Sequence, residues 1–470
     1  MTARKPLHHA LAGGALAGLI GGLLFGLAMR ELGMLTSVAS LINEENVVIG
    51  FAIHILIAVL LGVIFGWFIW FQRSGAGETL YWGLAYGSFW WFIGPLTLMP
   101  FFLTGNLNWT YEAAQTQLPS LFGHLLYGIG VGLSIVWLNS EYTDETSHFS
   151  VGNLVRGMLA GLAGAAVVIL LMPDHNFPVE LAMGIAVLTG ILYAMFDPKI
   201  EDGAGAGLIG GLVFGFFAWV IGQNTLMPLL LNEGLQWSLE AVQNNVADFV
   251  AYLLFGAGLG WSYHLLSKLA RSLFSDKPHH YREEGIGAQG LKTMGWGLVS
   301  GLSGGLIFTV IMLQTGALAQ IAELVDSMSP VAGFVVHMII SLAIGLTYGF
   351  FFRGRAYDLG SATGWGVSYG FFWWILGPLT LMPILLGGSP DWSAESLGQL
   401  VPSLIGHLAY GASVGIIFYI FESSQSPWWI ARSRLEVEQI EFRKEQALTS
   451  APALWTLVLL MALLLPILLV

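Results

Sequence analysis

Four histidines sit inside strongly apolar stretches of the 470-residue chain, in two pairs at matched places: His54 with His124, and His337 with His407. An ionisable side chain at membrane depth is costly, so one that persists there has a partner or a task. Imidazole offers three: ligand to a metal or haem, contact to a proton or solute, or a hydrogen bond tying helices together. Each ring falls about five residues into an apolar segment entered from the same side, roughly 7–8 Å below its start at 1.5 Å per residue. As second and fourth helices of an up-down bundle, the two segments of a pair stand roughly 11–14 Å apart across it. That spacing suits two imidazoles clamping one centre, with b-type haem as the candidate cofactor, or a metal ion in its place. A fifth histidine, His264, stands near a helix end, where snorkelling accounts for it.

Below each histidine, at i+4 and i+8, come small residues: Ala58 and Gly62, Gly128 and Gly132, Ser341 and Gly345, Gly411 and Gly415. A related middle segment keeps Ala186, Gly190, Gly256 and Gly260 but has Ala182 and Tyr252 where the histidines would be. The stripe therefore reads as helix packing, whatever the histidines do.

A second constellation lies on the same side. GPLTLMP at 94–100 and 377–383 places two prolines at the end of an apolar segment and is expected to break the helix there, with Thr97 and Thr380 as the polar residues inside. Trp109 and Glu112, and likewise Trp392 and Glu395, then follow in loops over that opening. A broken helix end can line a binding cavity; a terminated helix with an interfacial tryptophan belt is the structural alternative.

The elements that must position these residues are membrane helices. The chain is 56% hydrophobic and 10% charged, against roughly a quarter charged in soluble domains. Apolar runs long enough to span a bilayer predict thirteen helices, near 10–29, 49–71, 80–101, 119–138, 157–172, 180–196, 204–222, 247–265, 293–312, 331–352, 362–381, 402–421 and 453–470. The third helix of each group exposes an internal repeat: GSFWWFIGPLTLMP (87–100), GFFAWVIGQNTLMP (215–228) and GFFWWILGPLTLMP (370–383). First helices align as AGLIGG (17–22), AGLAGA (160–165) and SGLSGG (300–305). The expected fold is all-α and polytopic: four-helix repeats at 1–140, 151–272 (degenerate) and 290–422, an amphipathic cytoplasmic linker at 423–452, and a last transmembrane helix at 453–470.

Sixteen of the 17 Lys and Arg fall on the side of the N-terminus, Arg30 being the exception. The N-terminus is thereby expected in the cytoplasm and, after thirteen spans, the C-terminus outside, in a bacterial-type inner membrane. The net charge of −12 belongs to the outer surface, which would attract cations or a basic extracytoplasmic partner. The absence of cysteine excludes disulfides and thiolate chemistry. No basic patch supports nucleic-acid binding, and no phosphate loop, His-Glu-x-x-His helix or nucleophile elbow appears.

A histidine ahead of a small-residue stripe (His54, His337), a Pro-Leu-x-x-Met-Pro segment (95–100, 378–383) and a Gly-His-Leu (123–125, 406–408) together resemble small four-helix bacterial inner-membrane proteins of the YagU-like family. The resemblance covers the first and third repeats and implies no enzymatic activity. Three readings follow. The chain is a non-enzymatic binding protein or membrane-complex subunit with outward histidine-pair sites, or a transporter or channel for a cation, proton or small solute, or a purely structural subunit that docks other membrane subunits.

Overall fold

The computed structural model describes residues 6–70, 76–138, 151–171, 179–196, 203–274, 286–356 and 358–424. The thirteenth span (453–470), and the linker from residue 425 onward, lie outside these. Among the described residues there are helices and no strands, and ten helices are long and apolar enough to cross a membrane. This is an all-α polytopic membrane protein.

The first segment comprises α1 (Leu7–Glu31), the short α2 (Leu35–Ala39), α3 (Val47–Trp70), α4 (Ala76–Ile93), α5 (Met99–Thr104), α6 (Tyr111–Thr116) and α7 (Leu118–Leu138). The second has α8 (Val151–Leu171), α9 (Val179–Phe196), α10 (Gly203–Ala218), α11 (Met227–Leu230), α12 (Leu239–Asn244) and α13 (Val246–Phe274). The third repeats the first: α14 (Ile286–Thr315), α15 (Ala317–Ala322), α16 (Pro330–Phe352), α17 (Leu359–Leu376), α18 (Met382–Leu385), α19 (Ala394–Gln399) and α20 (Val401–Ser424). We call these units one, two and three, and call the end where α1 stops and α3 starts the distal end.

Within unit one, α1 packs on both α3 and α7, and α7 packs on α4; α3 and α4 make no extended contact. Units two and three repeat the order, with α8 between α9 and α13 and α14 between α16 and α20. Glycine sets how close these helices come. A β-carbon on Gly62 would collide with the backbone of Gly14 and Gly18, and one on Gly345 with Gly297 and Gly301. The small-residue stripe is thus a backbone-to-backbone contact in all three units, Gly190 meeting Gly157 and Gly161 in unit two.

Unit two lies between its neighbours. The Tyr81 hydroxyl of α4 donates to Gly210 O of α10 at 3.2 Å, Phe122 of α7 packs on Trp219 and Trp237, and α10 also touches α16 and α17. Residues of all three units share one buried cluster, including Trp91, Trp219, Trp237, Trp365 and Trp374.

The third helices do not break where Gly-Pro was expected to break them. Each widens into a π-helical turn, Gly94–Leu98, Trp219–Leu226 and Gly377–Leu381, and then continues as α5, α11 or α18. Unit two does this with Gln223 where the others have Pro95 and Pro378, so proline is not the cause. The common feature is threonine: Thr97, Thr225 and Thr380 each donate a hydroxyl to the carbonyl five residues back at 2.8 Å, pairing an oxygen that the wider turn exposes.

Candidate functional site

His54 is the eighth residue of α3 and His124 the seventh of α7, about two turns from the distal end and at matched depth. Both are fixed by carbonyls. His54 Nε2 lies 3.0 Å from Gly22 O on α1, and His124 Nδ1 lies 2.7 Å from Ser120 O one turn back. Unit three reproduces this with His337 Nε2 on Gly305 O (3.0 Å) and His407 Nδ1 on Ser403 O (2.8 Å). A carbonyl only accepts, so those nitrogens are the protonated ones, and each neutral ring keeps one bare nitrogen.

One phenyl ring joins each pair. Phe25 meets His54 edge-to-face at 5.1 Å between centroids and His124 at 4.9 Å; Phe308 meets His337 and His407 at 5.3 and 4.8 Å. Gly123 and Gly406 have no β-carbon because these phenyl rings occupy the place. Phe25 and Phe308 escaped the sequence reading, although they stand three residues beyond the aligned AGLIGG and SGLSGG, where unit two has Val168.

These contacts do not accommodate haem between the imidazoles. His54 and His337 have committed Nε2 to a carbonyl, leaving Nδ1, the nitrogen beside the β-carbon stem, where a macrocycle would run into the helix that carries the ring. Nor is there, among the described residues, a group of three or more His, Asp or Glu suited to a metal ion. The histidines stand instead on the wall of a cavity of about 680 Å³ in unit one, within the 300–1,000 Å³ usual for small-molecule sites.

The cavity occupies the gap between α3 and the third helix, with α1 and α7 behind it. Its walls are mostly aliphatic and aromatic, and among the described residues no Asp, Glu, Lys or Arg lines it. Toward the distal end it is covered by α2 and the 3₁₀ turn Ser40–Ile42, the turn reaching α5. Gly50 admits the Leu35 carbonyl and seats α2 on α3, as Gly333 admits Leu318 on α16. On the inner side, two tyrosines bridge helices: Tyr127 donates to Ala58 O and Tyr86 to Leu61 O, both at 2.7 Å. The remaining side is open between α3 and the third helix, where lining residues Leu60 and Phe102 are 59% and 68% exposed, surface that a membrane helix turns to lipid.

The threonine and tryptophan candidates are brought together, but as a strut. Trp109 Nε1 donates to Thr97 Oγ1 at 3.1 Å, Trp392 to Thr380 at 3.2 Å, and Trp237 to Thr225 at 3.0 Å in the unit without histidines. The loop tryptophan thereby clamps the π turn in every unit. Glu112 and Glu395 lie in the first turn of α6 and α19, each helix opened by a hydroxyl cap, Thr110 on Ala113 N and Ser393 on Ser396 N. A carboxylate there complements the helix dipole; neither glutamate lines the cavity. His264 does not snorkel: it is 3% exposed, with Nδ1 on Gly260 O, against Gly207 of α10.

Comparison with protein-family models, curated proteins and solved structures gave no match to this chain.

Proposed function

We propose that this is a non-enzymatic integral membrane protein that holds the apolar chain of a lipid-like guest in the unit-one cavity, with His54 and His124 as its polar contacts. The observation that carries this reading is a cavity covered at the distal end by α2, lined almost wholly by apolar side chains down to Ile64, and open sideways where a membrane helix faces lipid. An acyl-length chain enters such a space without crossing water, and burying it contributes about 0.8 kcal/mol per methylene. The charge asymmetry of the loops supports an outward distal end, and with it a guest from the outer leaflet.

Binding is favoured over passage. The tyrosine bonds to Ala58 O and Leu61 O tie the helices together halfway along α3, and among the described residues no charged side chain lines the cavity to lead an ion inward. Matched bonds at His337, His407 and Tyr410 (hydroxyl to Ser341 O, 2.7 Å) support a second site of the same kind in unit three.

The test is cross-linking of a diazirine-bearing fatty chain to the full-length protein in nanodiscs, mapped by peptide mass spectrometry. Labels should concentrate on residues 54–64 and 94–102, and Leu98→Trp, which fills the open side, should reduce them several-fold. Labelling spread evenly over lipid-facing helices, unaffected by Leu98→Trp, overturns the reading. A Soret band in the purified protein would restore haem in its place.

A further inference from the structure

The guest's head group can be specified further. We infer that the unit-one cavity selects a long-chain lipid with a hydroxyl head, received as a hydrogen-bond donor by one of the two bare ring nitrogens, His54 Nδ1 or His124 Nε2; this rests on the cavity being a lipid site.

The polarity of the two rings is fixed from behind. Gly22 O and Ser120 O accept from His54 Nε2 and His124 Nδ1, which leaves His54 Nδ1 and His124 Nε2 as acceptors. A doubly protonated ring would meet no carboxylate among the described residues that line the cavity. The Ser120 hydroxyl stands 3.4 Å from His124 Nδ1, the nitrogen already bonded to Ser120 O, and the tyrosine hydroxyls are committed elsewhere, Tyr127 to Ala58 O and Tyr86 to Leu61 O. Beside His124 Nε2 stands Gly94, at the start of the π turn, where even an added β-carbon would remain 3.9 Å from the nitrogen. That space admits a small head and little more.

Head groups divide accordingly. Ethers, esters and ketones bring only acceptors and leave the ring nitrogens facing like lone pairs. Carboxylates and phosphates add a negative charge that nothing in the cavity balances. A hydroxyl supplies the missing donor. A site whose buried polar groups await a donor rejects an otherwise similar guest that lacks one.

The test uses full-length protein in phosphatidylcholine nanodiscs and radiolabelled 1-hexadecanol, displaced by unlabelled hexadecanol, hexadecyl methyl ether or palmitate. Hexadecanol should compete at least about tenfold better than the ether or the acid. Two variants isolate the cause. In His124→Asn the amide can keep the bond to Ser120 O, and in His54→Gln the bond to Gly22 O, but each removes the bare nitrogen. The variant at the receiving ring, and the double variant in either case, should lose the preference, hexadecanol then competing no better than the ether. Equal competition by alcohol and ether in the unaltered protein, or a preference that survives in the double variant, overturns the hydroxyl assignment, while binding sensitive to Leu98→Trp would leave the cavity reading standing. No saturable binding of any probe overturns both.

Discussion

Units one and two share a frame and differ at its centre. Both have the glycine contact between first and second helices, the π turn in the third, the threonine on its carbonyl and the tryptophan on that threonine. Both send an indole N–H from the third helix to the turn before the fourth: Trp91 to Gln117 O at 2.9 Å, Trp219 to Asn245 O at 3.3 Å. At the centre unit one has Phe25, His54 and His124, whereas unit two has Val168, Ala182 and Tyr252. There Gln223, in place of Pro95, donates to Asp248, in place of Ser120, at 3.0 Å, and Asn224 bonds Trp219 O and Asn245. At this place unit two pairs its own side chains, Gln223 with Asp248 and Asn224 with Asn245. Unit one keeps there two ring nitrogens that are left as acceptors once Gly22 O and Ser120 O take the ring N–H groups, and the proposed guest is received at one of them.

The largest effect should come from the shared frame. Gly62→Leu and Gly190→Leu each force a side chain into a backbone contact; overpacking costs about 1–3 kcal/mol where neighbours can shift, and backbone cannot shift cheaply. Both should abolish the monodisperse peak in detergent size-exclusion chromatography. If Gly190→Leu alone were tolerated, the glycine contact would not be the common scaffold. Next comes the centre: Phe25→Ala should cost about 3–5 kcal/mol, and Val168→Ala, at the same place in unit two, clearly less. Equal shifts in thermal unfolding would mean that Phe25 is ordinary core and has no special part in joining the histidines.

The strut gives a smaller and graded effect. Thr225→Val leaves the Trp237 indole, itself 0% exposed, without its acceptor, at a cost of about 1–3 kcal/mol. Thr97→Val does the same to Trp109, which is 60% exposed, so water can take over and the cost should stay below about 1 kcal/mol. Melting curves of the two variants decide it; a larger loss for Thr97→Val would give that residue a part beyond the strut.

What the sequence reveals follows the same division. Helices and repeat were legible because apolar length and aligned glycines report directly on bilayer thickness and close packing. The matched depth of the histidines was legible too, being simple counting along two helices. Their environment was not, because Phe25 on α1 reads as one more lipid-facing residue until α1 is placed between α3 and α7. Gly94-Pro95 read as a break since proline removes a donor; the π turn depends instead on a threonine bond five residues back, invisible in local propensity. Thr97 and Trp109 stand twelve residues apart, and only the reversal of the chain at the distal end makes them partners.

The smallest expected effect separates units one and three, which otherwise match closely. Asp391 opens the loop before α19 by accepting from Ser396 Oγ and Ser393 N, and these bonds hold its carboxyl below the ordinary 3.8. Unit one has the neutral Asn108 there, reached by Thr110 at 3.4 Å. A carboxyl lowered in the folded state contributes stability that is fully present above its unfolded value and lost as pH falls through the folded one. Amides of α19 should therefore exchange faster as pH drops below 3.8, and Asp391→Asn should remove that dependence. In α6 the titrating group is Glu112, held below its ordinary 4.5 first by its own backbone N–H and then by Tyr111. Glu112→Gln should flatten the response of α6 and leave α19 unchanged. Both groups are exposed, so both effects are small. An Asp391→Asn variant whose α19 still loosened in acid would overturn the assignment to Asp391.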